Sequence, residues 1–300
     1  MFPLLKNQSL TRTYISERLS EYFEESEMEG VAAFRQNELV GYIFGELKVD
    51  TLRGRHVWVP YEGVAVAAGQ GSELVRKLYS FASKAWIENG CFQQYALVPL
   101  GEGTYQDAFL GLSFYMEQVH GMMALEDYTP FASEAEVEIR HADSGDRDLL
   151  GALSSVIIGH QSIEPTYAPA FPERVRAIEE GYRRLVNDED STILLALKDG
   201  EGIGFQVYEP CGTGLMLPEK GAELGIAGTF PEHSGKGIGK KLMNEGCKAM
   251  KEKGFQAIVT DWRIANLTSS TFWPKCGFYP VAVRMGRLID SNVTWAKVKE

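Results

Sequence analysis

Two rhythms of apolar and polar positions run along this chain. Residues 192–197 and 203–208 are apolar, β-rich runs joined by Asp199-Gly200-Glu201-Gly202, turn chemistry that predicts a β-hairpin. A strand is predicted over 222–230, followed by a glycine-rich turn. The period then lengthens, so that Ile238, Leu242 and Met250 share one face of an amphipathic helix running to Lys253, with Gly254 as its stop. Residues 256–260 predict a strand, 266–276 a helix and 281–289 a closing strand. Val137-Glu138-Ile139-Arg140 opens this half, and helical material extends from there to about Leu185.

The pattern repeats. Gly71, Lys77, Leu78, Lys84, Glu88, Gly90, Phe114 and Tyr115 fall on Gly235, Lys241, Leu242, Lys248, Glu252, Gly254, Phe278 and Tyr279, each pair separated by 235 minus 71, or 164 positions. An ungapped match from turn through helix and strand implies duplication of one supersecondary unit, so the halves are expected to share a fold. Upstream, with the register shifted by one, Phe34 and Gly41 fall on Leu197 and Gly204, which predicts a second hairpin around Asn37-Glu38. Thr129-Pro130 and a Ser/Glu-rich stretch interrupt the periodicity within 126–136, so domains are expected at 1–127 and 136–300. Subtracting 164 from Ile139 gives a position before Met1, so copy one lacks the first strand and helix of copy two or replaces them from elsewhere.

Composition narrows the function. A length of 300 residues exceeds one average core and agrees with two domains. A formal net charge of -11, with no basic block interleaved with aromatics, argues against nucleic acid as a partner and leaves room for a cationic amine. Cys91, Cys211, Cys247 and Cys276 form no C-x-x-C pair, so neither a zinc or other metal site nor a disulfide framework is expected. The opening residues are too short for a signal-peptide apolar region, and no run reaches membrane-spanning length; a soluble cytoplasmic protein without a membrane partner is the expectation. The oligomeric state is left open.

The chemistry concentrates in Ser234-Gly235-Lys236-Gly237-Ile238-Gly239, between a predicted strand and helix. Missing β-carbons let backbone N–H groups close on a phosphate, and the helix N-terminus adds favourable potential. A Walker A loop would need glycine where Phe230 stands and Ser or Thr where Gly237 stands. A dinucleotide fingerprint would use Asp261 as its ribose acid, but its third glycine is due at Lys240, and too little chain follows for the remaining strands. Copy one offers an internal contrast, with Gly71, Glu73 and Val75 at the three glycine places, so the glycines of copy two serve a ligand rather than the fold.

The run from Ala222 through Phe230 and Ser234-Gly235-Lys236-Gly237-Ile238-Gly239-Lys240-Lys241-Leu242 resembles the acetyl-CoA motif of the GNAT superfamily of N-acetyltransferases. Asn266-x-x-Ser269-x-x-x-Trp273-x-x-x-Gly277-Phe278 resembles that family's second motif. Copy one matches only in outline, so the whole resembles a tandem GNAT protein with a degenerate N-terminal half. The resemblance implies an α/β (α+β) fold of two tandem domains, each a twisted mixed sheet flanked by helices. It also implies two central strands, here 222–230 and 256–260, that splay to admit the pantetheine arm of acetyl-CoA. Backbone of Gly228 and Thr229 would bond that arm, the turn from Ser234 through Gly235, Lys236, Gly237, Ile238 and Gly239 to Lys240 would hold the pyrophosphate, and Asn266 would contact the coenzyme arm.

An amine attacking a thioester must first lose a proton, and the resemblance puts Glu223 at a frequent general-base position. A solvated strand-edge carboxylate is the competing reading of Glu223, and His233 is a second candidate base. The family's usual thiolate-protonating tyrosine corresponds to Trp273, which has no acidic hydroxyl; Trp273 is read as core, as Phe109 is in copy one, or as a substrate-stacking surface. The acceptor segment is expected in residues 156–182, where Tyr167 and Phe171 are candidate substrate contacts beside His160 and Glu164. Two functions follow: transfer of an acetyl group to a small-molecule amine by direct attack in a ternary complex, or acyl-CoA binding with weak or absent turnover.

Overall fold

The computed structural model describes residues 12–25, 27–101, 103–212 and 214–296. In chain order its elements begin with α1 (Arg12–Glu25), β1 (Met28–Arg35), β2 (Glu38–Asp50), β3 (Gly54–Val59), β4 (Val64–Val66), α2 (Ser72–Glu88), β5 (Gln93–Pro99), α3 (Thr104–Gly111) and β6 (Tyr115–Ala124). There follow β7 (Glu138–His141), α4 (Arg147–Ser162), α5 (Pro172–Arg184), β8 (Thr192–Lys198), β9 (Glu201–Pro210), β10 (Gly221–Thr229), α6 (Ile238–Glu252), β11 (Ala257–Arg263), α7 (Leu267–Lys275) and β12 (Tyr279–Leu288). The fold is mixed α/β.

The chain divides into two compact units. Unit one holds Met1–His120, Gly214–Met216 and Pro280–Glu300. Its strands lie in the order β1-β2-β3-β5-β12, with β4 also pairing β2. The predicted first hairpin turns at Gln36 and Asn37, both with positive φ, and β3 runs parallel to β5. Trp86 of α2 is fully buried and donates Nε1–H to the Glu29 carbonyl at 3.0 Å. β12 pairs antiparallel with β5 from Ala282↔Pro99 to Leu288↔Gln93, and Arg284 reaches Glu117 at 2.9 Å and also Gln118. Residues 280–296 therefore pack with the N-terminal unit, which one cut within 126–136 does not describe. Apolar patterning locates that strand in the chain; only pairing assigns its sheet.

Unit two holds Gly121–Thr213 and Leu217–Tyr279. Here β7, β8, β9 and β10 are consecutive antiparallel neighbours, and β10 runs parallel to β11. Asp199 and Gly200 take positive φ at the predicted hairpin turn, leaving Lys198 opposite Glu201. Alternation along β8 and β9 sends Ile193, Leu195, Phe205 and Val207 to one face, where they pack with Leu150, Leu153 and Val156 of α4. Tyr208 faces the other way, onto α6, where its hydroxyl lies 3.8 Å from Met243 Sδ. Burial of each such side chain contributes about 1.5–3 kcal/mol, so both sheet faces anchor a helix. The helical material expected up to Leu185 is two helices, parted at Ile163 by an extended residue ahead of Pro165 and Pro169. Among the described residues, the N-terminal unit has the helix α1 ahead of its first hairpin.

Candidate functional site

β10 and β11 start side by side and then part. Their parallel register runs from Gly221↔Ala257 to Leu224↔Thr260, whereas β10 continues to Thr229 and β11 to Arg263. Thr260 Oγ1 donates to the Leu224 carbonyl at 2.8 Å, closing the last rung. On its other side β10 keeps pairing with β9 through Thr229↔Gly204, but with a register shift between Leu224 and Ile226. The extra residue, Gly225, bends the strand away from β11. The fork between these strands is the splay that the sequence resemblance implied.

Which amides line that fork follows from alternation. Phe230 N–H bonds the Ile203 carbonyl at 3.0 Å, so in this strand Gly228 also turns its amide toward β9, and Ala227 and Thr229 turn theirs to the fork. Of the two strand residues read from the sequence, Thr229 is the one whose amide faces the fork. Gly228 instead makes room for packing, because a β-carbon on it would lie 2.9 Å from Val156 Cγ1 and 3.1 Å from Ile157 Cδ1. Glycine at this position lets α4 close onto the fork.

Beyond the strand, Pro231–His233 form one 3-10 turn, and the chain reaches α6 through Ser234, Gly235, Lys236 and Gly237. Gly235 and Gly237 have φ of 76° and 82°, which L side chains rarely adopt. Gly239 lies against the Phe272 ring, where a β-carbon would meet Cζ at 3.2 Å. Gly237 caps α6 without any side-chain cap hydrogen bond, and the first turn carries no acidic residue. Among the described residues, the opening amides of α6, from Ile238, Gly239 and Lys240, meet no side-chain acceptor, and they lie at the positively polarised end of the helix, a fit for pyrophosphate oxygens. Ser133 Oγ donates to the Gly237 carbonyl at 3.0 Å, and Lys241 Nζ donates to the Val137 carbonyl at 2.6 Å, which pin the turn to the chain entering β7. Lys236 Nζ is held by the Glu232 carbonyl at 2.7 Å.

Glu223 lies on β10 one residue before the fork, directly opposite Glu209 of β9. Val259 is its neighbour on β11, so period-two alternation brings Asp261 to the same face. All three carboxylates reach solvent. Partial burial, then the like charges of Asp261 and Glu209, push the Glu223 carboxyl above the ordinary carboxylate range. Glu209 carries no sequence motif; only the strand register reveals it. Asp261, the would-be ribose acid, is instead a neighbour of the candidate base. Among the described residues, no group of three or more His, Cys, Asp or Glu is arranged to hold a metal ion.

The other sequence candidates separate. Asn266 is the N-cap of α7, accepting from Ser269 N–H at 3.1 Å, and it also meets His160 Nε2 at 3.1 Å. Trp273 is 7% exposed and packs edge-on against Phe272 and Phe278, a core position rather than a stacking surface. Tyr167 and Phe171, both exposed, lie between α4 and α5. His233 sits in the 3-10 turn beyond β10, near the glycine turn rather than beside the carboxylates of Glu209 and Glu223.

Residues 159–278 match the model of the acetyltransferase (GNAT) family. No curated protein sequence matches the chain significantly. Among solved structures, a GCN5-related N-acetyltransferase from Sphaerobacter thermophilus superposes with a TM-score of 0.60 at 14% identity, over 91% of this chain and 85% of that one. A tandem GNAT protein from the clavulanic acid biosynthesis pathway gives 0.51 at 14% identity, over 88% and 83%. A GCN5-related N-acetyltransferase from Kribbella flavida gives 0.51 at 12% identity, over 93% and 95%. At such identities these likenesses speak to fold, and it is the fold that the forked strands and glycine turn define. Residues 159–278, almost all of them in unit two, are thus similar to the acetyltransferase (GNAT) family.

Proposed function

We propose that unit two transfers an acetyl group from acetyl-CoA to the amine of a small cationic acceptor, by direct attack in a ternary complex. The observation that carries this reading is the fork: β10 and β11 part after Leu224 and Thr260, the uncapped start of α6 lies at one end and Glu223 at the other. The pyrophosphate rests on the amides from Gly235 to Lys240, the Ser234 amide being held by the Pro231 carbonyl, and the pantetheine arm lies along the Thr229 edge. The carboxylates of Glu209, Glu223 and Asp261 draw an ammonium, and Glu223, its pKa raised, accepts a proton from it. The freed amine then attacks the thioester carbon, the C–S bond breaks and the thiolate leaves, while the attacking nitrogen gives up its remaining extra proton to solvent to become the neutral amide. Trp273 offers no acidic hydroxyl, but a thiol pKa near 8.5 makes the thiolate a tolerable leaving group that takes its proton from solvent.

Copy one has no such cradle in this reading. Its equivalent helix, α2, carries Glu73 in the first turn, ion-paired with Arg76 at 2.6 Å, so a carboxylate occupies the anion's side of the helix start. One coenzyme site per chain is expected. The test is incubation of the protein with acetyl-CoA and an amine panel while free thiol is monitored; release of thiol with a cationic amine supports the proposal, and silence across a broad panel counts against it. The core position of Trp273 favours a second reading, an acyl-CoA-binding protein without turnover, which tight calorimetric binding of acetyl-CoA with no thiol release would support.

A further inference from the structure

One face of α4 touches both arms of the fork. Val156 and Ile157 lie against Gly228 on the β10 arm, and His160, one turn on, meets Asn266 just beyond the end of β11. Side chains three and four residues apart share a helix face, so this is a single surface spanning the gap.

The hydrogen bonds at Asn266 fix every orientation involved. Ser269 N–H is a backbone donor at 3.1 Å, so the atom facing it is the amide oxygen. His160 Nε2 meets that same oxygen at 3.1 Å and must therefore carry the hydrogen and donate. The Asn266 oxygen is then doubly used. Its Nδ2 has no partner among the described residues, although the side chain is 7% exposed. That nitrogen is not among the buried side-chain atoms left without a partner, so it faces open space, held in one orientation and free to meet an incoming acceptor. Capping α7 alone needs only the oxygen; the histidine bond goes beyond what the helix requires.

We propose that His160 is a positioning residue for the acyl-CoA ligand: it holds the oxygen of Asn266 so that Nδ2 is presented at the β11 arm of the fork to an amide carbonyl of the pantetheine arm. The inference rests on the acyl-CoA reading above. It ties α4, the helix leading into the acceptor segment with Tyr167 and Phe171, to correct seating of the coenzyme arm, while the phosphates are held separately by the turn at α6.

That separation supplies the test. Calorimetry on the full chain compares acetyl-CoA with adenosine 3′,5′-bisphosphate, which has no pantetheine arm. His160→Leu is expected to weaken acetyl-CoA binding by about tenfold, the worth of one oriented hydrogen bond, and to leave adenosine bisphosphate binding unchanged. His160→Gln, which restores an N–H donor near the Nε2 position, is expected to recover most of the loss. Asn266→Asp keeps the acceptor for Ser269 and His160 but removes the Nδ2 donor, and should weaken acetyl-CoA selectively as well. Unchanged acetyl-CoA affinity in His160→Leu overturns the proposal, as does an equal loss for both ligands or failure of His160→Gln to recover it. Wild-type protein that binds neither ligand overturns the acyl-CoA reading itself.

Discussion

Thr260 holds the last rung before the fork, its hydroxyl donating to the Leu224 carbonyl at 2.8 Å from a side chain that is 5% exposed. The bond ends the parallel pairing at a defined residue, so where the strands begin to part is built into β11 rather than left to a ligand. Thr260→Val removes the donor at nearly constant volume and leaves a buried carbonyl without its partner. The expected cost is about 1–3 kcal/mol in denaturant unfolding, with weaker acetyl-CoA binding in the same variant.

Gly237→Glu puts into the turn the residue type that stands 164 positions earlier, at Glu73. A carboxylate at that place opposes pyrophosphate, and the backbone there has φ 82°, which costs a side chain about 1–2 kcal/mol. Loss of acetyl-CoA binding in calorimetry is expected, together with a modest fall in Tm. Unchanged affinity would remove the turn assignment.

Glu223→Gln is expected to lower kcat by about 10²–10⁴ and to abolish the acidic limb of the pH–rate profile. Wild-type protein should place that limb above the ordinary carboxylate range, because Glu223 is pushed up. The sign for stability is the reverse of activity. A group whose folded pKa is raised contributes stability below its unfolded pKa and loses it as pH rises through the folded value. At neutral pH the charged Glu223 therefore opposes folding, and Glu223→Gln should raise Tm at pH 7 with the gain vanishing in acid. A Tm unaffected at every pH would contradict the crowding by Asp261 and Glu209.

Asp146 behaves oppositely. Arg140 bonds both its oxygens, at 2.6 and 2.7 Å, and holds its carboxyl below the usual range, so its stabilising contribution is present above the unfolded carboxylate pKa and lost as pH falls through the folded value. Asp146→Ala should flatten the acid-unfolding curve as well as lower stability at pH 7.

Trp273→Phe should leave turnover within a few-fold, since no proton passes through the indole. Trp273→Ala, by contrast, should destabilise by about 3–5 kcal/mol through the cavity it opens beside Phe272 and Phe278.

Local features were legible in the sequence. The hairpin at Asp199-Gly200, the helix stopped near Lys253 and the turn through Gly235 and Gly237 all depend on neighbours a few residues apart, and the structure places them where the periodicity did. The carboxylate pair Glu209 and Glu223 was not legible. It depends on register in a strand pair interrupted at Gly225, and a one-residue slip would send either side chain to the other face. His160 and Asn266 lie 106 positions apart, and no periodicity joins them. Nor does the sequence tell Gly228 from Thr229 as a donor, because that depends on which edge each amide faces.

The pairing of β12 with β5 has a consequence for how the chain is made. The edge of β5 that receives Ala282 at Pro99 stays open until 282 minus 99, or 183, further residues have been synthesised. At about 5–20 residues per second that is on the order of ten seconds or more. For that interval the nascent N-terminal unit carries an unsatisfied row of backbone groups, the kind of template that recruits a stray strand. The sheet of unit one is therefore completed only once β12 has been made, long after the strand that it pairs with.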